Sequence, residues 1–430
     1  MAIAYLSNRF PDPLETYVGE EIRELRKKGC QVISCSVQRP AVLSMLQAHA
    51  SVETLYVFPL RFWTSLRTTW LCVCKFRLIA DLVWRAMRGP EPTSRRCRTL
   101  VHTWVGAYLA TRLYGQQVRH IHIHHGYFAS WVGMTAARLS DASFSMTLHG
   151  SDLLERADYL DSKLENCRFC VTVSEFNRRY IAERFPRIDP RKILVQRLGV
   201  DTARWCRRSH NHSTDSFSIL SVGRLHPAKN HGFLLLACKA LKAQGIPFRC
   251  IIAGEGKERE KLERLITALD LRREVALRGH VLRHRLPELY AAADVVVLTS
   301  RSEGIPVTLM EAMAMEGVVV APGITGIPEL VTDGRTGFLY PPNSIDDFLA
   351  KLQLIRATGQ SLGPMRQAAR RHVDLYFNSR VNLAGFAECF LKHVGEFGQS
   401  ALELARKESH ENPVLQQVQL RVQRDRSLSV

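Results

Sequence analysis

Short apolar runs rich in β-branched residues alternate with longer segments of helical period along most of this chain. Each run closes on Gly, His, Asp or Pro, the punctuation of a strand that ends in a turn. Ile3–Leu6 and Gln31–Val37 read as strands around a charged helical stretch, Glu15–Lys28, that stops at Gly29. That is one βαβ unit. Val118–His125 alternates as a strand, with His120, His122 and His124 on one face, and Ser143–Leu148 and Phe169–Ser174 continue the series. Arg204–Ser216 is polar and aperiodic, as a linker is. A second series follows with Phe217–Val222, Phe248–Ala253 and Ala293–Leu298, the last having the length and branching of a buried parallel strand. From Asp346 the pattern is helical, and from about Gly398 the apolar period is lost, so the end RVQRDRSLSV is expected to be a disordered basic tail.

The stretch Ser300–Gly317 concentrates the chemistry. After the strand at Ala293–Leu298, Gly304 permits a tight turn and Pro306 suits a helix's first turn, where no backbone N–H is needed. Val307–Met315 is rich in helix formers and Gly317 is a fitting stop. Strand, turn and helix together aim free N–H groups at the carboxyl edge of a sheet, where α/β proteins bind anions and nucleotides. Glu303 and Glu311 flank the turn, eight positions apart (311 − 303 = 8). On one helix they would lie about 12 Å apart along the axis. A retaining glycosidase needs its carboxyl groups about 5–5.5 Å apart. The spacing suits two contacts on one elongated ligand, a sugar at one end and a ribose at the other.

Other strand ends repeat this placement. After Phe217–Val222 comes GRLHPAKN, in which Gly223 lets the backbone turn closely while Arg224 and Lys229 bring two cations. Arg holds two phosphate oxygens at once and Lys adds a mobile point charge, a chemistry fit for a diphosphate leaving group. Ser143–Leu148 runs into HGSD, placing His149, Gly150 and Asp152 at the edge, and His125 and Gly126 end the preceding strand in position to line a cleft.

A chain of 430 residues exceeds what one core organises, so two domains are expected. Lys+Arg 59 against Asp+Glu 41 leaves +18, which favours anionic partners: nucleotide sugars, acidic glycans or an anionic membrane face. Nucleic acid is not expected, because no aromatic-interleaved basic module or zinc-finger spacing is present. The N-terminus lacks a basic region followed by a cleavable apolar segment, and 11 cysteines are scattered through apolar runs, so free thiols in a reducing cytoplasm are expected. No metal is expected. Cys167 and Cys170 form a CxxC without a second pair, and the three alternating histidines have no carboxylate or Cys nearby in the chain to complete a first shell.

Trp63–Trp84 is interrupted by Arg67, Lys75, Arg77 and Asp81, too costly a set for a membrane span. It reads as a partly amphipathic helix, lying on a membrane surface or over the domain core. The following GPEPTSRRCR reads as a loop whose arginines contact anionic lipid or acceptor.

The Glu, seven residues, Glu pattern inside SEGIPVTLMEA resembles the donor-site motif of retaining glycosyltransferase family 4, whose fold is GT-B. The resemblance implies an α/β architecture of two doubly wound Rossmann-like domains facing across a cleft. By position it assigns residues 1–203 to an acceptor-side domain, 204–216 to a linker, 217–375 to a nucleotide-sugar domain, 376–397 to a helix crossing back, and 398–430 to the tail. It implies that Glu303 contacts the donor hexose and Glu311 the ribose, with Gly304, Ile305 and Pro306 forming the turn between them. GRLHPAKN matches the family's GR…K motif, carrying Gly223, Arg224 and Lys229 to the diphosphate. HGSD matches a segment whose His approaches sugar and phosphate, here His149, and ALRGHV puts Arg278, Gly279 and His280 beside the base. The LGVD segment and the Gly-rich Gly323–Gly337 stretch keep the register. The first loop, SNRFPDPLET, lacks the glycine pair of many members and is similar to the FP…ET subset of exopolysaccharide transferases.

The implied reaction moves a hexose from a nucleotide diphosphate sugar to a hydroxyl of a glycan acceptor, lipid-linked, with retained configuration and no metal or other cofactor. The implied location is cytoplasmic, peripheral on the inner face of the cell membrane. A sugar-nucleotide epimerase of the same fold and a non-catalytic peripheral membrane protein are the alternatives. The intact set of Arg224, Lys229, Glu303 and Glu311 argues against the second.

Overall fold

The computed structural model describes residues 2–12, 15–40, 53–155, 157–206 and 216–395. The expected tail at 398–430 and most of the expected linker lie outside the described residues.

The chain folds as two compact units, Met1–Val173 with Arg178–Gln196 and Leu383–Val430, and Ser174–Asn177 with Arg197–Asn382. The first holds a seven-stranded sheet in the order β3-β2-β1-β4-β5-β6-β7. Its strands are β1 (Ala2–Arg9), β2 (Gln31–Gln38), β3 (Thr54–Tyr56), β4 (Val118–His124), β5 (Ser143–Leu148), β6 (Cys170–Thr172) and β7 (Ile193–Val195). The second holds a six-stranded sheet in the order β10-β9-β8-β11-β12-β13. These are β8 (Phe217–Val222), β9 (Phe248–Ala253), β10 (Val275–Gly279), β11 (Val295–Val297), β12 (Val319–Pro322) and β13 (Phe338–Tyr340). Every pairing is parallel. Parallel sheets need both faces covered. β1 shows how: Ala4 and Leu6 join the core beneath the helices Thr93–Leu113 and Phe128–Leu139. Its alternate residues Ile3 and Tyr5 join a second core with Val18 and Ile22 of the helix Thr16–Lys27 and with Phe386 and Phe390 of the last helix, Ser379–Val394.

Four expectations change. The chain passes into the second unit at Arg197 rather than at 204, because 197–205 is anchored there. Val200 N–H donates to Phe377 O at 2.8 Å, Trp205 is wholly buried, and the Arg370 guanidinium donates to the carbonyls of Thr202 and Trp205. GPEPTSRRCR is a loop only to Pro92, after which Thr93 opens a 21-residue helix. Proline just outside a first turn is compatible with a helix start, so this stretch carried a start signal. Trp63–Trp84 is two helices, Phe62–Cys74 and Ala80–Arg88, joined by a 3₁₀ turn at Phe76–Leu78.

The helix at Val307 runs to Ala314, and the left-handed residue that ends it is Glu316 (φ 56°), not Gly317. Glu316 N–H reaches Met313 O and Gly317 N–H reaches Ala312 O, a Schellman closure. Gly317 is still required there, since a Cβ would sit 2.9 Å from Ala312 O.

Candidate functional site

In the second unit the chain passes outward from β8 to β9 and β10, then returns to β11 on the other side of β8 and moves outward again. The β8/β11 junction is thus the point where strand order reverses, and the loops leaving it part to open a crevice at the carboxyl edge. GRLHPAKN leaves β8 and SRSEGIP follows β11. They are laced together: Arg301 N–H donates to Ala228 O at 2.8 Å, and Thr299 Oγ1 donates to Lys229 O at 3.0 Å. Across them Lys229 Nζ lies 2.5 Å from Glu303 Oε1, both side chains mostly buried. The two residues expected to meet different parts of a ligand therefore meet each other.

Arg224 stands apart, its side chain exposed and without a hydrogen bond among the described residues. Ile305 and Pro306 are buried, so a ligand could reach the backbone of this turn but not the Ile305 side chain. Behind them the backbone N–H groups of Val307 and Thr308 are unclaimed within the described structure, leaving the positive end of the helix dipole open. The hydroxyls of Ser300, Ser302 and Thr325 are buried without partners around the same turn. Buried polar groups left unpaired in this way mark a place that a polar ligand or water completes.

Glu311 lies on the inward side of that helix, 4% exposed. Tyr290 OH donates to its Oε2 at 3.0 Å, and Arg283 Nε is 3.7 Å from Oε1. Burial pushes its carboxyl up to about 7, against the pull of Arg283 and the Tyr290 bond. Nothing in the sequence singled out Tyr290 or Arg283, because their partner is 21 and 28 positions away (311 − 290 and 311 − 283) on a different element.

The GxG after β9, weak as a motif, has a steric reason. A Cβ on Gly254 would lie 1.8 Å from Gly223 O, and Gly254 N–H donates to Gly279 O at 2.9 Å. Gly223, Gly254 and Gly279 thus layer three adjacent strand ends, with Gly279 at φ +71°. The side chains of Arg278 and His280 beside it are exposed and carry no hydrogen bond among the described residues.

The first unit has a polar centre of its own at its own reversal, between β1 and β4. Asp152, fully buried, accepts from the backbone N–H groups of Gly126 (2.8 Å), His149 (3.0 Å) and Gly150 (2.9 Å). Burial by itself raises its carboxyl, but His125, the neighbouring His149 and the Gly126 N–H hold it well below the usual carboxylate range. His125 bonds Glu15 Oε1 at 2.9 Å and has Nδ1 3.6 Å from Asp152 Oδ2. Burial lowers it, yet the two carboxylates carry it up to about 10, so it is an imidazolium. His149 is the reverse: burial and the neighbouring His125 and His124 hold it well below its ordinary value, neutral. Its Nε2 is 3.1 Å from His124 Nδ1, and its Nδ1 is buried without a partner.

The histidines of β4 do not face a cleft; His120, His122 and His124 are all 0% exposed beneath the last helix. A carboxylate also stands beside them, contrary to expectation: Glu21 Oε2 is 2.9 Å from His124 Nε2 and accepts from Tyr5 OH. Ligand atoms of Glu21, His122 and His124 lie within 4.8 Å of one another. Both ring nitrogens of His122 are already engaged, however, with Ser145 at 2.7 Å and Thr147 at 3.0 Å. Glu21 comes from a helix 103 positions earlier, beyond any spacing rule. All eleven cysteines are free, with Cys167 and Cys170 both buried.

Comparison with known proteins covers most of the chain. The family profile "Glycosyltransferase Family 4" matches residues 14–204, and "Glycosyl transferases group 1" matches 206–372. The putative colanic acid biosynthesis glycosyltransferase WcaL of Salmonella typhimurium is 36% identical over 44% of this chain and 49% of its own. The amylovoran biosynthesis glycosyltransferase AmsK of Erwinia amylovora is 32% identical over 46% of this chain and 50% of its own. The chain spans about half the length of these curated relatives in the matches. Among solved structures, the sucrose-phosphate synthase of Thermosynechococcus elongatus superposes with a TM-score of 0.73 at 17% identity, covering 91% of this chain and 99% of that one. Anabaena HepE in complex with UDP-glucose superposes at 0.67 and 18% identity, covering 91% and 99%. At such identities the likeness establishes the fold.

Proposed function

Since the chain belongs to glycosyltransferase family 4 and has the GT-B fold, we propose that it is a retaining hexosyltransferase of exopolysaccharide biosynthesis. The donor is a nucleotide diphosphate sugar. The acceptor is a hydroxyl of a lipid-linked glycan at the inner face of the cell membrane. The observation that carries this reading is the Lys229–Glu303 pair at the strand-order reversal, set beside an uncapped helix N-terminus and an unpaired Arg224. Relatives named for colanic acid and amylovoran biosynthesis, and a structural neighbour holding UDP-glucose, support the substrate class.

In this scheme the donor diphosphate takes over the Lys229 ammonium, and Glu303, released from it, accepts hydrogen bonds from the hexose hydroxyls. As the anomeric carbon–oxygen bond breaks, its electron pair leaves with the diphosphate. Arg224, Lys229 and the N–H groups at Val307 and Thr308 stabilise the charge as it grows. The acceptor oxygen attacks from the face the diphosphate leaves, and its proton passes to the departing phosphate oxygen, so configuration is retained. Glu311 receives the ribose hydroxyls, and Gly279 and His280 lie beside the base. With fixed cations on the phosphates, no divalent metal is required.

The test is a calorimetric titration with UDP, GDP and their common hexose derivatives, comparing wild type with Arg224→Ala. Selective binding of one nucleotide sugar, weakened by the substitution, is expected. Absence of binding to all of them overturns the transferase reading, and release of an epimerised sugar nucleotide points to an epimerase.

A further inference from the structure

The one fully buried residue of the helix Phe62–Cys74 is a threonine, Thr68. Thr68, wholly buried, donates to Thr64 O at 2.8 Å and lies 3.2 Å from Thr111 Oγ1, and Trp104 Nε1 donates to Thr69 Oγ1 at 3.3 Å. Arg61 N–H is fixed by Tyr108 OH at 2.9 Å. Threonines therefore seat this helix on Thr93–Leu113. Leu71 and Cys72 also pack against the core, but four large apolar residues point away: Phe62 is 70% exposed, Trp63 74%, Trp70 70% and Val73 66%. The apolar face continues past the 3₁₀ turn through Phe76 and Trp84, each at least half exposed. A helix on a globular protein normally buries such a stripe, and exposed apolar patches of this kind mark interaction surfaces.

Charge identifies the occupant. From Arg61 to Arg88 the segment has six Lys or Arg and one acid, Asp81, which is paired with Arg138 at 2.5 Å. Arg67 and Arg77 are exposed and unpaired among the described residues. The Arg88 guanidinium lies over the Trp84 ring, 3.8 Å from its centroid. Tryptophan with arginine is the composition of a helix lying in a headgroup layer, rings at the acyl boundary and cations on phosphate. A second copy of this chain meeting the same face would set its unpaired Arg67 and Arg77 against one another. No described helix is long and apolar enough to cross a membrane.

We propose that the outward face of Phe62–Cys74 and Ala80–Arg88 docks this protein on an anionic lipid bilayer, with Trp63 and Trp70 entering the interface and Arg67 and Arg77 contacting lipid phosphates. The proposal deepens the membrane-face part of the function proposed above and rests on it. It assigns the contact to a defined surface.

The experiment is vesicle flotation of the full chain, with phosphatidylcholine alone and with roughly one third phosphatidylglycerol. Two double variants are compared, Trp63→Ser with Trp70→Ser, and Arg67→Glu with Arg77→Glu. Wild type is expected to float with the anionic vesicles only, and tryptophan emission to shift blue on binding. The arginine variant is expected to lose at least about tenfold in partitioning, and wild-type binding to weaken at about 1 M salt, where screening reaches about 3 Å. The tryptophan variant is expected to lose both flotation and the blue shift. Wild type remaining at the bottom of the gradient overturns the proposal, as does flotation that both variants retain. A lipid-free dimer in light scattering that the tryptophan variant dissolves assigns the face to a second copy instead. Because all four positions are exposed, each variant should melt as wild type does and titrate nucleotide sugar equally. Flotation without any nucleotide-sugar binding by wild type would separate failure of the transferase reading from failure of the docking surface.

Discussion

Lys229 Nζ sits 2.5 Å from Glu303 Oε1, although the two residues are 74 positions apart and leave different strands. The pair stores a cation and a carboxylate in the crevice at near-neutral net charge, so neither is buried unpaired. A diphosphate sugar can exchange partners with both at once. Glu303→Gln keeps the shape of the side chain but releases Lys229. Turnover should fall on the order of 10²-fold or more, by the scale of lost preorganised contacts, with nucleotide diphosphate binding kept or tightened. Initial rates beside calorimetry check this; equal loss of both quantities would put Glu303 in scaffolding instead.

Glu311 carries a pH signature. Its carboxyl rises from 4.5 to about 7 through burial, so its contribution to stability is full below pH 4.5 and is lost as pH rises through about 7. The shift of about 2.5 units corresponds to about 3 kcal/mol. Glu311→Gln cannot ionise. Its melting temperature relative to wild type should therefore improve steadily between pH 5 and pH 8, read by thermal melts at both.

His125 behaves oppositely in charge though not in sign. Raised from 6.5 to about 10, its imidazolium stabilises the first unit fully below pH 6.5, and that contribution fades as pH rises through about 10. Its φ of +69° makes Asn the fitting replacement, since Asn tolerates left-handed backbone. His125→Asn leaves Asp152 buried without its countercharge and should cost about 3–5 kcal/mol near pH 6. Urea melts should show the gap to wild type narrowing as pH rises from about 6.5 and closing near pH 10.

Gly254→Ala would place a methyl group where Gly223 O already is, 1.8 Å from its ideal position. The strand ends must part, which disturbs Gly223 and with it the seat of Lys229. We expect a loss of stability of several kcal/mol, and nucleotide-sugar affinity reduced more than by the neighbouring exposed change Lys257→Ala. Melting and titration of the two variants decide it.

Incubation with a chelator provides a further check. If Arg224, Lys229 and the helix N-terminus supply the charge on the leaving group, transfer should continue unchanged after EDTA treatment and dialysis, measured by release of nucleotide diphosphate. Loss restored by a divalent cation would require a metal in the mechanism.

Local chemistry is legible in the linear chain. Strand and helix alternation follows from side-chain period, and the cations and carboxylates at strand ends follow from where apolar runs stop. Gly254 is visible there only as part of a weak motif, and its necessity comes from a carbonyl on another strand. The segment after Pro92 looks like a loop because its arginines cluster, while the apolar face beneath them begins only with Leu100 and Trp104. The break at Phe76–Leu78 contains no Gly or Pro, so no turn residue marks it in the chain.

Sequence by itself determined that this is a two-unit parallel α/β protein with a donor-type Glu, seven residues, Glu segment and a GR…K segment, because period, turn residues and helix starts act within a few residues. Tertiary structure alone decided what those groups touch. Sheet order brought Lys229 to Glu303, put Glu21 beside His124, and buried Glu311 against Tyr290. It also decided that Thr68 of Phe62–Cys74 turns inward and its tryptophans outward. Period can show that a helix has two faces, but which face is covered depends on what the rest of the chain brings against it.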